Sequence, residues 1–277
     1  TTALSAAGIS SIPSGALNSN LMVLASQRLP ANITINRVTI MTIARTIGTN
    51  VVWGAPVKLL QYPKLTNINR CYIINLERRK DKLFEVLHRF PFDECTIFPA
   101  IDGTTLNLEQ PNNKVLKQQL PNYDLGNETK EQLRGAIGCA LSHYSIWSKV
   151  AQETGSNKPT LVLEDDIYFN DELLKDWSAI VTSLPDDLDI LYLGSTNPRF
   201  HEGSPVNKWL LKPSQRAQFG TYSYLLTKQG AQKLVNLYDD TSRPKTPKLD
   251  WWLRRNDGII NQYCLKYPLI STIADYK

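Results

Sequence analysis

The stretch TLVLEDDIYF, residues 160–169, places three consecutive acids at the end of an apolar run. The run before the acids has the composition of a buried strand, whereas carboxylates are costly to bury and rare inside strands. In sheets built from alternating strands and helices, ligands bind outside the carboxyl ends of the strands. Glu164, Asp165 and Asp166 therefore indicate a binding site and predict where in the fold it lies.

The sequence around this strand alternates between short apolar runs and longer runs of helical period. The predicted strands are RCYIINL (70–76), CTIFPAID (95–102), TLVLED (160–165), LDILYLG (188–194) and GTYSYLLT (220–227). The predicted helices cover 83–90, 129–155, 170–184 and 228–238, and a loop rich in Asn, Gln and Pro covers 104–128. This alternation predicts an α/β sandwich with a largely parallel central sheet.

Residues 1–65 differ from the remainder in composition. They carry five of the 31 basic residues and no acid, so the other 26 basic residues balance all 26 acids and the net charge of +5 belongs to this segment. Its first 20 residues favour an extended arm, and the β-branched residues that follow predict a small β-rich extension for anchoring or oligomerisation. A purely accessory layer is the alternative. No basic run favours nucleic acid, and no apolar span is long enough for a transmembrane helix.

The acids at 164–166 can be interpreted in two ways. In the strand period Glu164 and Asp166 share a face, and two carboxylates in a low-dielectric crevice repel unless a cation lies between them. Oxygen ligands suit hard ions such as Mn²⁺ or Mg²⁺, which also bridge to a diphosphate. Alternatively, the acids cap the next helix and form surface ion pairs.

Two further segments carry polar groups with candidate roles. KLDWWLRRNDG (248–258) places Asp250 before two tryptophans, as in sugar-binding sites, although a helix N-cap beside core tryptophans has the same pattern. LRGAIGCALSHYSIW (133–147) has small residues that allow close approach of a strand or ligand. His143 on this helix is either a structural residue or part of a site.

Taken together and in this order, six segments resemble the family 25 glycosyltransferases, covering roughly residues 69–270. They are CYIINLERRKDK (71–82), FPAIDG (98–103), GAIGCALSHYSIW (135–147), LVLEDD (161–166), LDILYLG (188–194) and GTYSYLLTKQGAQKL (220–234). The resemblance implies a GT-A-like nucleotide-binding fold over residues 66–277. It also implies a UDP-sugar donor, a divalent ion that is usually Mn²⁺, and an inverting transfer. Residues 1–65 lie outside it.

The resemblance also implies residue roles. Glu164 and Asp166 would bind the ion or the diphosphate, and Asp165 would hold the ribose or the loop. The residues expected to bind the donor are Asn75, Leu76, Arg78, Arg79, Asp102, Gly103, Ser142, His143, Gly220, Thr221 and Tyr222. An inverting transfer needs a general base, and we assign that role to Asp250.

The leading hypothesis is transfer of galactose or glucose from a UDP-sugar to a hydroxyl of a protein, such as collagen-like hydroxylysine, or of a glycan. One alternative is a retired transferase fold that serves as a structural component of a larger assembly. Another is a metal-dependent nucleotidyltransferase, which the lack of a GxxxxGK phosphate loop disfavours. The location would be the cytoplasm or, after removal of a signal peptide, the lumen of the secretory pathway.

Overall fold

A nine-stranded sheet forms the centre of the fold. The computed structural model describes residues 34–36, 67–92, 94–111, 114–122, 129–196, 202–214 and 220–272. Its strands are β1 (Thr34–Asn36), β2 (Cys71–Asn75), β3 (Glu94–Pro99), β4 (Thr160–Glu164), β5 (Ile167–Phe169), β6 (Ile190–Tyr192), β7 (Gly203–Pro205), β8 (Leu210–Pro213), β9 (Ser223–Leu226), β10 (Gln262–Leu265) and β11 (Ile270–Thr272). The central sheet has the order β1-β3-β2-β4-β9-β6-β10-β8-β7, and β5 pairs with β11 separately.

The sheet is mixed, with most strands running one way. The pairs β2 with β3, β2 with β4, and β6 with β10 are parallel. Strand β9 lies antiparallel between β4 and β6, so β4 and β6 share a direction. Following the pairings across the sheet, β2, β3, β4, β6, β7 and β10 run the same way, and β1, β8 and β9 run the opposite way. The predicted α/β class with a largely parallel sheet is therefore confirmed.

The helices pack against the sheet and cover its core. They are α1 (Lys80–Arg89), α2 (Lys114–Gln119), α3 (Lys130–Gln152), α4 (Asp171–Leu174), α5 (Trp177–Thr182), α6 (Lys228–Asp239) and α7 (Leu249–Arg255). Helix α3 begins with a capping box, in which Thr129 and Gln132 each accept a hydrogen bond from the other's backbone N–H. Trp147 of α3 is fully buried against Tyr238 of α6 and Trp252 of α7. Among the described helices, none is both long and apolar enough to cross a membrane.

Two helical predictions needed correction. The predicted helix 170–184 is two short helices, because Asp176 leaves helical geometry at φ −92° and ψ 1°. The second of them, α5, buries Trp177, Ile180 and Val181. The predicted loop 104–128 contains α2 and two short 3₁₀ helices. Leu106 and Leu116 in that region are buried in a small core of their own, together with Leu133, Ile137 and Leu141 of α3.

The described residues cover only a small part of the N-terminal prediction, residues 34–36. Strand β1 pairs with β3 at the edge of the main sheet, with Ile35 opposite Cys95. The rest of the predicted arm and β-rich extension, residues 1–33 and 37–65, lies outside the described residues. The domain division at residues 65 and 66, and the anchoring or oligomerisation role, stay predictions.

Candidate functional site

The acids of residues 164–166 lie at the carboxyl end of β4, where the chain bends between β4 and β5. The backbone N–H of Glu164 donates to the carbonyl oxygen of Tyr222 at 2.8 Å, which joins this strand end to the start of β9. The bend directs the three side chains differently. Asp165 is buried, with 5% of its side chain exposed, whereas Glu164 and Asp166 are 28% and 31% exposed.

Asp165 is held inside the protein by residues at the end of β2. Asn75 Nδ2 donates to Asp165 Oδ2 at 2.7 Å and also to the carbonyl oxygen of Arg79 at 2.9 Å. The Arg79 guanidinium lies 3.3 Å from Asp165 Oδ1. Burial raises the pKa of Asp165 to about 6, although Arg79 and Asn75 oppose the rise. Asp165 therefore links the ends of two parallel strands.

Glu164 and Asp166 present their carboxylates toward solvent. Arg79 NH2 lies 3.4 Å from Asp166 Oδ2. The pKa of Asp166 is raised, first by burial and then by the charge of Glu164. Two half-buried carboxylates that repel each other form an oxygen donor set suited to a hard divalent cation, because the cation would offset both burial and repulsion. The donor set thus fits Mn²⁺ or Mg²⁺.

Asp250 lies near these acids, although it comes from the first turn of α7. Its Oδ1 accepts a hydrogen bond from the Trp251 backbone N–H at 2.9 Å. Burial raises its pKa, and the charge of Glu164 contributes in the same direction. Trp252 is buried in the core, whereas Trp251 is 43% exposed. Trp251 lines an open cleft of about 350 Å³ together with Arg254, Arg255 and Asp257. The Asp250 carboxylate is therefore coupled to Glu164 through its charge and precedes an exposed tryptophan in the chain.

Arg78 and Asp102 form a second pair beside the end of β2. Arg78 Nε lies 3.0 Å from Asp102 Oδ2, and Asp102 Oδ1 accepts from the Thr104 N–H at 2.9 Å. The hydrogen bonds from Thr104, followed by those of Arg78, lower the pKa of Asp102. Leu76 is half-buried, and its carbonyl oxygen accepts from the Arg79 N–H at 2.8 Å. In the described residues no hydrogen bond or ion pair joins the Arg78–Asp102 pair to the acids at 164–166.

Gly103 and Ser142 fix the loop after β3 onto α3. A Cβ on Gly103 would lie 1.9 Å from the Arg134 carbonyl oxygen, and one on Gly138 would lie 2.6 Å from that of Ile101. The predicted close approach to this helix is therefore present at Gly138. Ser142 Oγ accepts from the Ile101 N–H at 2.8 Å and donates to the Gly138 carbonyl at 2.7 Å. Both hydrogen bonds of Ser142 are thus internal to the fold.

The segment Gly220–Tyr222 reaches the acids from β9. Thr221 Oγ1 lies 3.5 Å from Glu164 Oε1. Tyr222 is buried, and its hydroxyl donates to the Ile270 carbonyl oxygen at 3.4 Å. A Cβ on Gly220 would come within 2.5 Å of the Tyr222 ring, so the absence of a side chain there lets the ring fold back over the loop.

His143 contacts the acid cluster directly. Its Nε2 lies 3.2 Å from Glu164 Oε1 and its Nδ1 lies 2.8 Å from the Tyr224 hydroxyl. Tyr224 also accepts from Trp147 Nε1 at 3.0 Å. Neither Tyr224 nor Trp147 was predicted to contact the site. Trp147 follows His143 by four residues and so shares its helix face, which is a usable signal, but the contact with Tyr224 crosses 81 residues of chain.

Most of the predicted site residues fall into three groups, to which Leu76, Gly220 and Tyr222 do not belong. The acids at 164–166 are joined by direct contacts to Asn75, Arg79, His143 and Thr221, and Asp250 is coupled to Glu164 through its charge. Arg78 and Asp102 pair with each other. Ser142 and Gly103 support the loop between these groups.

A mixed α/β sheet with acids clustered beyond a central strand is consistent with a GT-A-like glycosyltransferase fold. The family model described as "Glycosyltransferase family 25 (LPS biosynthesis protein)" matches residues 68–247. Because this match covers more than half of the chain, the chain belongs to glycosyltransferase family 25, as the six ordered segments predicted.

Curated relatives agree with the family assignment. The "Procollagen lysyl hydroxylase and glycosyltransferase" of Acanthamoeba polyphaga mimivirus is 32% identical over 182 residues, covering 61% of this chain and 20% of the relative. Human "Procollagen galactosyltransferase 2" is 31% identical over 183 residues, covering 63% of this chain and 28% of the relative. "Putative glycosyltransferase R655" of the same mimivirus is 30% identical over 179 residues, covering 59% and 51%. The aligned part of this chain thus corresponds to between a fifth and a half of each relative.

Proposed function

We propose that this chain transfers a hexose, galactose or glucose, from a UDP-sugar to a hydroxyl group, in a metal-dependent reaction that inverts the anomeric carbon. The observation that carries the proposal is the pair of carboxylates Glu164 and Asp166 at the end of β4, with Asp250 of α7 coupled to Glu164 through its charge. Family membership supports a nucleotide-sugar donor. The names of the relatives that are procollagen galactosyltransferases support galactose and a collagen-like acceptor.

The donor side of the site would use the ends of β2 and β4. Arg79 is held by the hydrogen bond from Asn75 to its carbonyl oxygen and by the ion pair with Asp165. Its positively charged guanidinium therefore lies beside Asp166. Glu164 and Asp166 would hold Mn²⁺ or Mg²⁺, which when bound neutralises the departing diphosphate as a Lewis acid. Asp102 and Arg78 flank the uridine side, and Thr221 and Tyr222 flank the sugar.

The acceptor side would use Asp250. An inverting transfer requires a base that takes the proton of the acceptor hydroxyl on the face opposite the leaving group. Burial raises the pKa of Asp250, which makes the carboxylate a better proton acceptor near neutral pH. The exposed indole of Trp251 next to it offers a surface on which an acceptor can stack. We therefore expect the acceptor to approach along the cleft beside Trp251.

A UDP-release assay over a panel of UDP-sugars, with and without Mn²⁺, tests this function. A collagen-like peptide with hydroxylysine serves as acceptor, and the same peptide with lysine serves as its control. We expect Mn²⁺-dependent UDP release from UDP-galactose or UDP-glucose. The hydroxylysine peptide should increase this release, and the lysine peptide should not.

A matched acidic variant makes the assay specific. Asp186 is an exposed acid a few residues before β6, which runs the same way as β4, so it lies toward the amino ends of these strands and the acids after β4 lie at the carboxyl end. Asp186→Ala should therefore keep full activity, whereas Asp166→Ala should lose it. If the wild-type chain neither releases nor binds UDP under any condition, the structural role in a larger assembly becomes the better explanation.

A further inference from the structure

A chain of three buried side chains ends on the carboxylate of Glu164. Trp147 Nε1 donates to the Tyr224 hydroxyl at 3.0 Å, the hydroxyl lies 2.8 Å from His143 Nδ1, and His143 Nε2 lies 3.2 Å from Glu164 Oε1. Trp147, Tyr224 and His143 each have an exposed fraction of 0%. These groups are therefore shielded from bulk solvent, and their hydrogen bonds to one another determine where their protons lie.

The proton positions follow from the chemistry of each group. An indole N–H only donates, so the Tyr224 oxygen accepts from Trp147. In the described part of the protein the Tyr224 hydroxyl has one other hydrogen-bond partner, His143 Nδ1, which must then accept the hydroxyl proton. A neutral imidazole with an accepting Nδ1 carries its proton on Nε2. His143 Nε2–H consequently donates to Glu164.

This tautomer argues against a different role for His143. Ligand atoms of Cys139, His143 and Glu164 lie within 4.8 Å of one another, as in a transition-metal site. A metal on His143 Nε2 would require the proton on Nδ1, which would leave the buried Tyr224 hydroxyl proton without an acceptor.

We propose that His143 is a positioning residue that acts through Glu164. As a neutral Nε2–H donor, it holds Oε1 and thereby orients the carboxylate, while Thr221 supports the same oxygen. In the described residues both hydrogen bonds to this carboxylate are made at Oε1. The role of the oriented carboxylate in binding a cation with UDP rests on the proposed function.

The tautomer can be measured without substrate or metal. Long-range ¹H–¹⁵N NMR spectra distinguish the Nε2–H tautomer, the Nδ1–H tautomer and the imidazolium, and the chain has only three histidines to assign. We expect His143, identified by loss of its signals in His143→Gln, to show the Nε2–H pattern. Tyr224→Phe removes the proton donor to Nδ1, so the Nδ1 resonance should shift, while Glu164 still accepts from Nε2–H and keeps the proton there. An Nδ1–H or imidazolium pattern in the wild-type chain would overturn the proposal.

The consequence for the site is measured by Mn²⁺-dependent UDP binding in a calorimeter. His143→Leu removes the donor and should weaken this binding by about ten- to a hundredfold, the usual cost of losing a group that orients a metal ligand. His143→Gln can place its amide N–H near the position of Nε2–H and should recover most of the affinity. Wild-type UDP affinity in a folded His143→Leu chain would refute the positioning role. If that variant does not fold, Tyr224→Phe is measured in its place and should show a smaller loss of UDP affinity. An unchanged affinity in Tyr224→Phe would then refute the role.

The two proposals fail in different ways. If the wild-type chain binds no UDP with Mn²⁺, the proposed function fails, while the NMR result still decides the tautomer and its contact with Glu164. A Co²⁺ titration of the metal-free chain tests the alternative that Cys139, His143 and Glu164 bind a transition metal. A sulfur-to-cobalt absorption band that disappears in Cys139→Ser, together with weaker Co²⁺ binding in His143→Gln, would show that Cys139 and His143 bind metal, and it would overturn the assignment.

Discussion

Raising the pH of the cation-free protein from 5 to 7.5 should destabilise it, and Asp165→Asn should remove part of that dependence. Burial raises the pKa of Asp165 from 3.8 to about 6 in the folded chain. A carboxyl group with a raised folded pKa binds its proton more tightly in the folded state than in the unfolded state. Its contribution to stability is therefore present below pH 3.8 and is lost as the pH rises through 6.

The size of the effect follows from the same shift. A difference of about 2 pK units corresponds to about 3 kcal/mol over the whole window. About half of this, roughly 1.4 kcal/mol, falls between pH 5 and 7.5 by the same linkage relation. The raised pKa values of Asp166 and Asp250 act in the same direction. The lowered pKa of Asp102 acts in the opposite direction, but only at lower pH.

Urea denaturation in EDTA at a series of pH values measures this effect. The difference in unfolding free energy between Asp165→Asn and the wild-type chain cancels the other titrating groups to first order. That difference should increase by about 1.4 kcal/mol, in favour of the variant, between pH 5 and 7.5. Parallel stability curves for the two chains would refute the reasoning, because they would show that Asp165 titrates alike in the folded and unfolded states.

Three further predictions address the site and its support. Asp250→Asn should lower turnover by about a hundredfold or more while calorimetry shows unchanged UDP affinity, and unchanged turnover would exclude Asp250 as the base. Asp166→Ala should abolish the dependence of UDP binding on Mn²⁺, whereas equal affinity with and without Mn²⁺ in the wild-type chain would count against a metal role. Gly138→Ala should cost about 1–3 kcal/mol of unfolding free energy, because its Cβ would meet backbone atoms of Ile101 and Gly103 at 2.6–2.9 Å. Gly135→Ala, with nothing within 4 Å, is its control and should be neutral or stabilise by up to about 1 kcal/mol in urea denaturation; equal losses at both positions would contradict the close approach.

The predictable strands were β2, β3, β4, β6 and β9, because their apolar runs are short, well bounded and rich in β-branched residues. The sequence analysis did not predict β5, β7, β8, β10 and β11. The short helix α2 was not predictable, since Asn, Gln and Pro dominate the composition of residues 104–128 and its few apolar positions become meaningful only through the contact of Leu116 with α3. The break in the predicted helix 170–184 was likewise hidden, because the pattern of apolar residues continues across Asp176.

The acids after β4 were predictable from the sequence, whereas the distant residues that contact them were less so. The acids after β4 follow from a local rule about strand ends, and Glu164 and Asp166 do share the more exposed environment. Which acid is buried depends on Asn75 and Arg79, which lie about 90 residues earlier in the chain. Tyr224 was missed because its sequence context is that of an ordinary buried strand residue, and its hydroxyl acquires a partner only when β9 lies beside β4.

The direction of β9 explains why these distant segments meet. In β9 the chain runs opposite to β4, so Ser223 lies opposite Leu163 and Tyr224 opposite Val162. The first residues of β9 consequently lie beside the last residues of β4. A parallel strand in the same place would begin beside the first residues of β4, and its leading loop would be far from Glu164. The antiparallel insertion therefore brings both Thr221 and the Tyr224–His143 contact to one carboxylate, and the orientation of Glu164 depends on the direction of one strand as much as on the acids themselves.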